Sequence, residues 1–265
     1  MFKKILLSFL VLALAGCTYT PKKVPRGLQS QPEVQVNPQV NQLQNLPPLD
    51  GPTMTIGVYS FTDKTGQRKP ADNMASLSSA VTQGAEAWVI DALLEAGGGE
   101  WFEVVERTSM DNVIKERQLI RSTRENYEQG VDRNLAPMKF AGLILEGGIV
   151  GYDSNLATGG AGARYMNIGT SAEYRVDTVT VAMRLVSVST GRVLMSVATQ
   201  KTIASYRQSA DVFQFLDMGT KALELEAGYS VNEPTNYAVR AVIEAAVVEM
   251  VYEGVRKGLW KFKDQ

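Results

Sequence analysis

Met166-Asn-Ile-Gly-Thr-Ser-Ala-Glu-Tyr-Arg-Val-Asp-Thr-Val-Thr-Val-Ala-Met-Arg-Leu185 carries one two-residue rhythm in two phases. From Met166 to Val176 the even positions are Met166, Ile168, Thr170, Ala172, Tyr174 and Val176, a mostly apolar set. The odd positions are Asn167, Gly169, Ser171, Glu173, Arg175 and Asp177, a polar one. A strand of a transmembrane barrel needs about 9–11 residues of such alternation, apolar toward lipid and polar toward the lumen. At Val179 the phase reverses, and Val179, Val181, Met183 and Leu185 are apolar at odd positions. A change of one residue in phase moves the apolar set to the other face of a strand. The pattern predicts a strand that leaves lipid and enters a soluble core. Met166, Ile168, Tyr174 and Val176 are then expected to face lipid. Asn167, Ser171, Glu173, Arg175 and Asp177 are expected to face the lumen.

A second segment, Ala198 to Tyr229, has the same character. Leu223, Leu225, Ala227 and Tyr229 alternate with Glu224, Glu226 and Gly228, and Phe213 and Phe215 could supply interfacial aromatics at a hairpin tip. Alternation alone also fits a solvent-facing antiparallel sheet, so both readings stay open on these residues. Under the membrane reading a few strands cannot close a barrel, and an open sheet edge in lipid is prohibitively costly. Oligomerisation would follow directly.

The rest of the chain reads as an α/β domain with its sheet covered by helices. Met54 to Phe61 alternates as a strand, and Asp63 to Pro70 is a polar turn region. Val81, Ala85, Trp88, Val89, Ala92 and Leu93 share one helical face, stopped by Gly97-Gly98-Gly99. Phe102 to Val105 is a short strand. Thr108 and Asp111 have capping-box spacing ahead of a helix carrying Val113 and Ile114. Leu143 to Val150 is a buried strand, and Ser189 to Arg192 is a turn before Val193 to Val197. Val239, Val242, Ile243, Ala246, Val247 and Met250 form a helical stripe, with Arg240, Glu244, Glu249 and Glu253 off it.

At the start of the chain, Lys3 and Lys4 precede an apolar run, Ile5 to Ala15, of signal-peptide length. The run ends in Leu14-Ala15-Gly16-Cys17, which resembles a bacterial lipobox. Cleavage before Cys17 would leave 265 − 16 = 249 residues. Several acyl chains on Cys17 would anchor the chain stably, as one chain alone would not. The expected lipid is covalent, and no other cofactor is implied. Thr18 follows Cys17, which favours the outer membrane by the sorting rule of enterobacteria-like cells. Residues 17–52 hold Pro21, Pro25, Pro32, Pro38, Pro47, Pro48 and Pro52 and read as a tether.

Composition narrows the chemistry. The 265 residues include no His and one Cys, with 27 Lys+Arg against 28 Asp+Glu. Imidazole-based triads and most zinc sites are excluded. A net charge of −1 offers no footprint for nucleic acid. A carboxylate pair, Glu173 with Asp177, shares a strand face, but Arg175 lies between them and favours a solvated, charge-balanced face. Gly159-Gly-Ala-Gly162 lacks the Lys-Ser/Thr ending of a phosphate loop.

An ordered set of stretches resembles the curli secretion channel lipoprotein family of Gram-negative bacteria, the CsgG family. They are Asp63-x-Thr65-Gly66-Gln67-x-Lys69-Pro70, Glu116-Arg117-x-x-Ile120-Arg121 and Gly159-Gly160-x-Gly162-Ala163-Arg164-Tyr165, followed by Val188-Ser189-Thr190-Gly191, Asn232-Glu233-Pro234 and Gly258-Leu259-Trp260. The resemblance implies a non-enzymatic homo-oligomer, a ring of about nine subunits. Each would give two β-hairpins to one outer-membrane barrel of about 36 strands, the top of the known range. The cargo would be unfolded, amyloid-forming curli subunits, exported without ATP. One accessory factor would cap the periplasmic cage and a second would act at the channel and cell surface.

The implied organisation is a signal peptide over 1–16, a lipidated tether over 17–52 and a periplasmic α/β domain over 53–150. Transmembrane hairpins follow over 151–178 and 198–230, separated by periplasmic strands over 179–197, and a C-terminal helix occupies 231–265. The resemblance also places the channel constriction in a loop over roughly 68–78. The family's Asn and Phe positions fall on Ser76 and Leu77 here, and its Tyr position on Ala71 or Asp72. Asp72, Ser76 and Leu77 are therefore the expected constriction, without its usual aromatic rings. The rival expectation is a soluble, periplasm-facing outer-membrane lipoprotein that assists assembly of surface structures.

Overall fold

The computed structural model describes residues 38–68, 79–128, 130, 132, 134–159, 172–208, 212–217 and 234–263. One mixed sheet of six strands organises them, in the order β2-β1-β3-β4-β5-β6. The strands are β1 (Met54–Asp63), β2 (Phe102–Val105), β3 (Leu143–Gly159), β4 (Ala172–Ser187), β5 (Val193–Gln208) and β6 (Val212–Asp217). β1 is parallel to both β2 and β3, and each pairing from β3 to β6 is antiparallel. The helices are α1 (Val40–Gln44), α2 (Glu86–Glu95), α3 (Met110–Tyr127) and α4 (Pro234–Arg256).

Period-two burial builds the core. Ile56, Val58 and Phe61 of β1, Leu145 and Ile149 of β3, and Val179, Val181, Met183 and Leu185 of β4 are all buried on one face. Helix α2 packs over β1 and β2, α4 packs over β4 and β5, and the two helices touch each other. The expected faces hold on both. Ala85, Val89, Ala92 and Leu93 are buried, as are Val239, Val242, Ile243, Ala246, Val247 and Met250. Past α2, Gly97, Gly98 and Gly99 have φ of 59°, 66° and 88°, the left-handed conformation that ends a helix with least strain in glycine. On the other side of Trp101, whose ring lies 6.0 Å from its own, the Trp260 indole donates to the Val251 carbonyl at 2.8 Å. A Cβ on Gly254 would meet its ring at 2.0 Å, so only glycine lets α4 approach it.

Four expectations change. Helix α3 buries no side chain, although Val113 and Ile114 suggest a packed face. It is held instead by arginines bonded to the returning chain: Arg117 donates to the Ala136 carbonyl at 2.6 Å and Arg124 to that of Asp132 at 3.0 Å. The Thr108–Asp111 capping box does not form either. The helix starts after Ser109, whose amide donates to Glu106, while the Thr108 hydroxyl donates to the Val58 carbonyl. Third, the tether does not extend to residue 52. Leu43 and Leu46 sit in the core, Trp101 Nε1 donates to the Pro47 carbonyl at 2.9 Å, and Leu49 bridges Phe262. Prolines at 47 and 48 suit this docked strap because its outward hydrogen bonds run through carbonyls there. Finally, Arg240 and Glu244 are buried off the apolar stripe, because α1 and α2 close over that side of α4.

Candidate functional site at the strand ends

β1 and β3 run in the same direction, so the end of β1 at Asp63 lies beside the middle of β3. The Lys64 amide donates to the Ile149 carbonyl at 2.9 Å and fixes that junction. Asp63 then organises the turn. Its Oδ1 accepts from the amide and hydroxyl of Thr65, at 2.8 and 2.7 Å, and its Oδ2 accepts from Gln83 Nε2 at 3.1 Å. The Ala80 amide donates to the Gln67 carbonyl at 2.9 Å, and Arg68 bridges Ser79. Both legs of the segment expected to form the constriction are thus pinned together. Asp72, Ser76 and Leu77 lie outside the described residues.

Each of β1 and β3 carries an extra residue at this level. Tyr59 is the inserted residue between Val58 and Ser60, and Val150 that between Ile149 and Gly151. Both are exposed, at 46% and 45%. An inserted residue bends and twists the strand and reverses its phase. Beyond Val150 the core-facing position accordingly becomes even, at Tyr152.

β4 carries no inserted residue in its pairing with β3 from Ala172 to Ser187. Positions 173, 175 and 177 therefore lie on the face of Val179, Val181 and Met183. Glu173, Tyr174 and Arg175 pair with Thr158, Ala157 and Leu156 on one side and with Arg207, Tyr206 and Ser205 on the other. Val176 is half-buried. Cys17, Met166, Asn167, Ile168 and Ser171 lie outside the described residues.

Asp177 is corrected: expected to face water, it is 1% exposed and accepts from the Tyr152 hydroxyl at 3.4 Å. Its neighbours on the core face are Val179 and, across the ladder, Ile203, both fully buried. The packed zone thus reaches farther along β5 than residue 198, taking in buried Lys201 and Ile203. Lys201 Nζ stands 5.6 Å from the centre of the Tyr237 ring at the start of α4, within cation–π range. Tyr152, Lys201 and Tyr237 escape a reading of the sequence. Their one signal is a charge of opposite sign at a core-parity position on each of two paired strands, Asp177 and Lys201.

Phe213 and Phe215 are also corrected. They belong to β6, paired with Arg207 and Ser205, so they stand on a returning arm rather than at a tip. Among the described residues the site is a structural frame. A pinned loop stem and four strands leave one end of a packed domain side by side. Among the described residues no helix is long and apolar enough to cross a membrane, and no group of three or more acidic or Cys residues could hold a metal.

The chain matches the family described as "Curli production assembly/transport component CsgG" over residues 37–265. It is 36% identical over 268 residues to the protein of that name from Escherichia coli strain K12, spanning 99% of this chain and 92% of the relative. The Salmonella typhimurium strain LT2 protein is 36% identical over 266 residues, with the same shares. Among solved structures, the PelC dodecamer from Paraburkholderia phytofirmans is similar at a TM-score of 0.30 and 14% identity, across 77% of this chain and 93% of that one. The family match begins close to where the docked strap begins and spans the loop stem and the paired strand ends. This chain belongs to the CsgG family of curli production assembly/transport components.

Proposed function

We propose that the chain is one subunit of an oligomeric outer-membrane channel that exports unfolded curli subunits from the periplasm to the cell surface by ATP-independent diffusion. One observation carries the reading: β3 to β6 continue past the helix-covered core at the same end of the sheet as the pinned stem of residues 68 and 79. A ring of such subunits, about nine by the family resemblance, would join the strand ends into one barrel. The loops at 69–78 would then meet beneath it.

Asn167, Ser171, Glu173 and Arg175 would line the lumen. Met166, Ile168, Tyr174 and Val176 would face lipid. Cys17 would carry the acyl anchor in the outer membrane. The partners would be other copies of the chain, the unfolded cargo, a periplasmic cap and a second accessory factor at the channel. The reaction would be passage alone, with no bond made or broken. A pore suits an unfolded chain when its wall neither binds the chain tightly nor lets it fold.

Electron microscopy of detergent-extracted particles, with conductance measured in planar bilayers, tests the reading. Rings that conduct are expected. Monodisperse monomers that need no detergent once the acyl chains are removed would instead mark a soluble accessory lipoprotein.

A further inference from the structure

Glu244 is the most deeply buried carboxylate among the described residues outside the strand ends, 1% exposed in the middle of α4. Its two oxygens serve two different parts of the molecule. Oε1 accepts from Arg240 Nε at 3.0 Å. Oε2 accepts from the backbone amide of Gln39 at 2.7 Å, at the N-terminal end of the described strap. Arg240 in turn reaches Asp91 of α2 at 3.2 Å. The carboxylate therefore joins the strap, α2 and α4 at one point.

The strap's other end is fastened differently. The Pro47 carbonyl accepts from Trp101, the Pro48 carbonyl from the Lys263 amide at 2.8 Å, and the Asp50 amide donates to the Lys261 carbonyl at 2.9 Å. Between these fastenings lie the buried anchors Leu43 and Leu46.

We infer that Glu244 is a positioning residue that latches the N-terminal strap at Gln39 and so fixes how residues 39–50 dock on the domain. A carboxylate suits this task because it offers acceptors to two donors at once. A glutamine of the same shape offers one acceptor and one donor, so one of the two contacts would become donor against donor.

The energetics point to placement rather than stability. Burial pushes the Glu244 carboxyl above the usual carboxylate range. The Gln39 amide and Arg240 pull it back, and the negative charge of Asp91 adds to the upward push. A carboxyl whose pKa is raised on folding favours the folded state most at pH below its unfolded value. That contribution is lost as pH rises through the folded one. In its ionised form the group thus carries a net burial cost, and a buried ion pair of this kind specifies an arrangement more than it strengthens one.

With the latch closed, 38 − 17 = 21 residues remain between Cys17 and Gln39. At full extension they reach about 70–75 Å. That consequence rests on the proposed acyl anchor at Cys17, while the latch itself does not.

Hydrogen exchange on the full-length chain in detergent, comparing wild type with Glu244→Gln, tests it. The Leu43 and Asn45 amides, bonded within the strap to Gln39 and Asn41, should lose about tenfold or more of their protection. The Asp50 and Lys263 amides and those of the central sheet should keep theirs. Unchanged protection at Leu43 would overturn the latch. So would an equal loss across β3 and β4, which would make Glu244 an ordinary core residue. Particle images of both wild type and the variant separate the two ideas. Intact rings without the exchange signature sink the latch alone, and absent rings in wild type sink the channel reading alone.

Discussion

The same three strands, β3, β4 and β5, live in two environments. Along Leu145, Val181, Met183 and Val197 one face packs under helices α2 and α4. Beyond Tyr152, Asp177 and Ile203 the strands stay paired, out to the couples Gly159 with Ala172 and Glu173 with Arg207. On β4 the positions of one parity thus change from the apolar set Val179, Val181, Met183 and Leu185 to the polar set Glu173, Arg175 and Asp177, with no residue inserted in β4 itself. A sheet needs an apolar face only where something apolar covers it. The polar stretch therefore marks where helix cover ends, and a buried Asp177–Tyr152 contact sits at the border.

Four experiments sharpen or break this contrast. The largest effect is expected from Ile168→Arg. Arg at a mid-bilayer, lipid-facing site costs roughly 2–4 kcal/mol per subunit, repeated in every copy of a ring. Membrane-inserted rings, assayed as detergent-extracted oligomers, should vanish, whereas Ser171→Arg should leave them intact and alter ion selectivity. Equal tolerance at both positions would return the extended strands to a soluble sheet.

In the covered half, Leu145→Ala should lower the unfolding free energy by about 2–5 kcal/mol in denaturant titration, because it opens a cavity in a fully packed layer. A loss under about 1 kcal/mol would mean that the helix-covered face is loosely packed. A third test addresses the loop on the pinned stem. Leu77→Trp should reduce single-channel conductance and Leu77→Ala should raise it, while the same changes at Ser122 on α3 should do neither. Wild-type conductance in both Leu77 variants would move the constriction elsewhere. The smallest effect is expected at Leu119, exposed on α3. Replacing it with Ala should change stability by no more than about 0.5 kcal/mol. A loss comparable to that of Leu145→Ala would reveal a covering partner for α3 in the assembled protein.

Much of the covered half is legible in the sequence, because period 3.6 over Ala85 to Leu93 and over Val239 to Met250 and period two over Val179 to Leu185 each select one face. The strap is not, because its prolines and scarce aromatics outweigh Leu43 and Leu46, two residues buried only once distant parts of the chain, α2 and α4 among them, close over the strap. Arg240 and Glu244 look solvent-facing because a helix with cover on two sides needs no polar side toward water. Helix α3 misleads in the opposite sense: Val113 and Ile114 are apolar, yet the returning chain engages the helix through arginines and carbonyls. At the candidate site, the Asp63-to-Gln67 motif does mark a built turn. The extent of packing past Val179 stays hidden, because a buried Asp and a buried Lys look like solvent-facing residues until the partner strand is known.

The single surplus residue at Val150 has a consequence for how this protein can change over evolutionary time. Every position of β3 after that point owes its register parity to the one residue inserted there. Substitutions along the outer arm act one position at a time, but deleting Val150 would exchange inside and outside for the whole remainder of the arm in one step. A drifting lineage can therefore vary the arm's composition freely and its length in pairs, while the parity set at Val150 behaves as a fixed count.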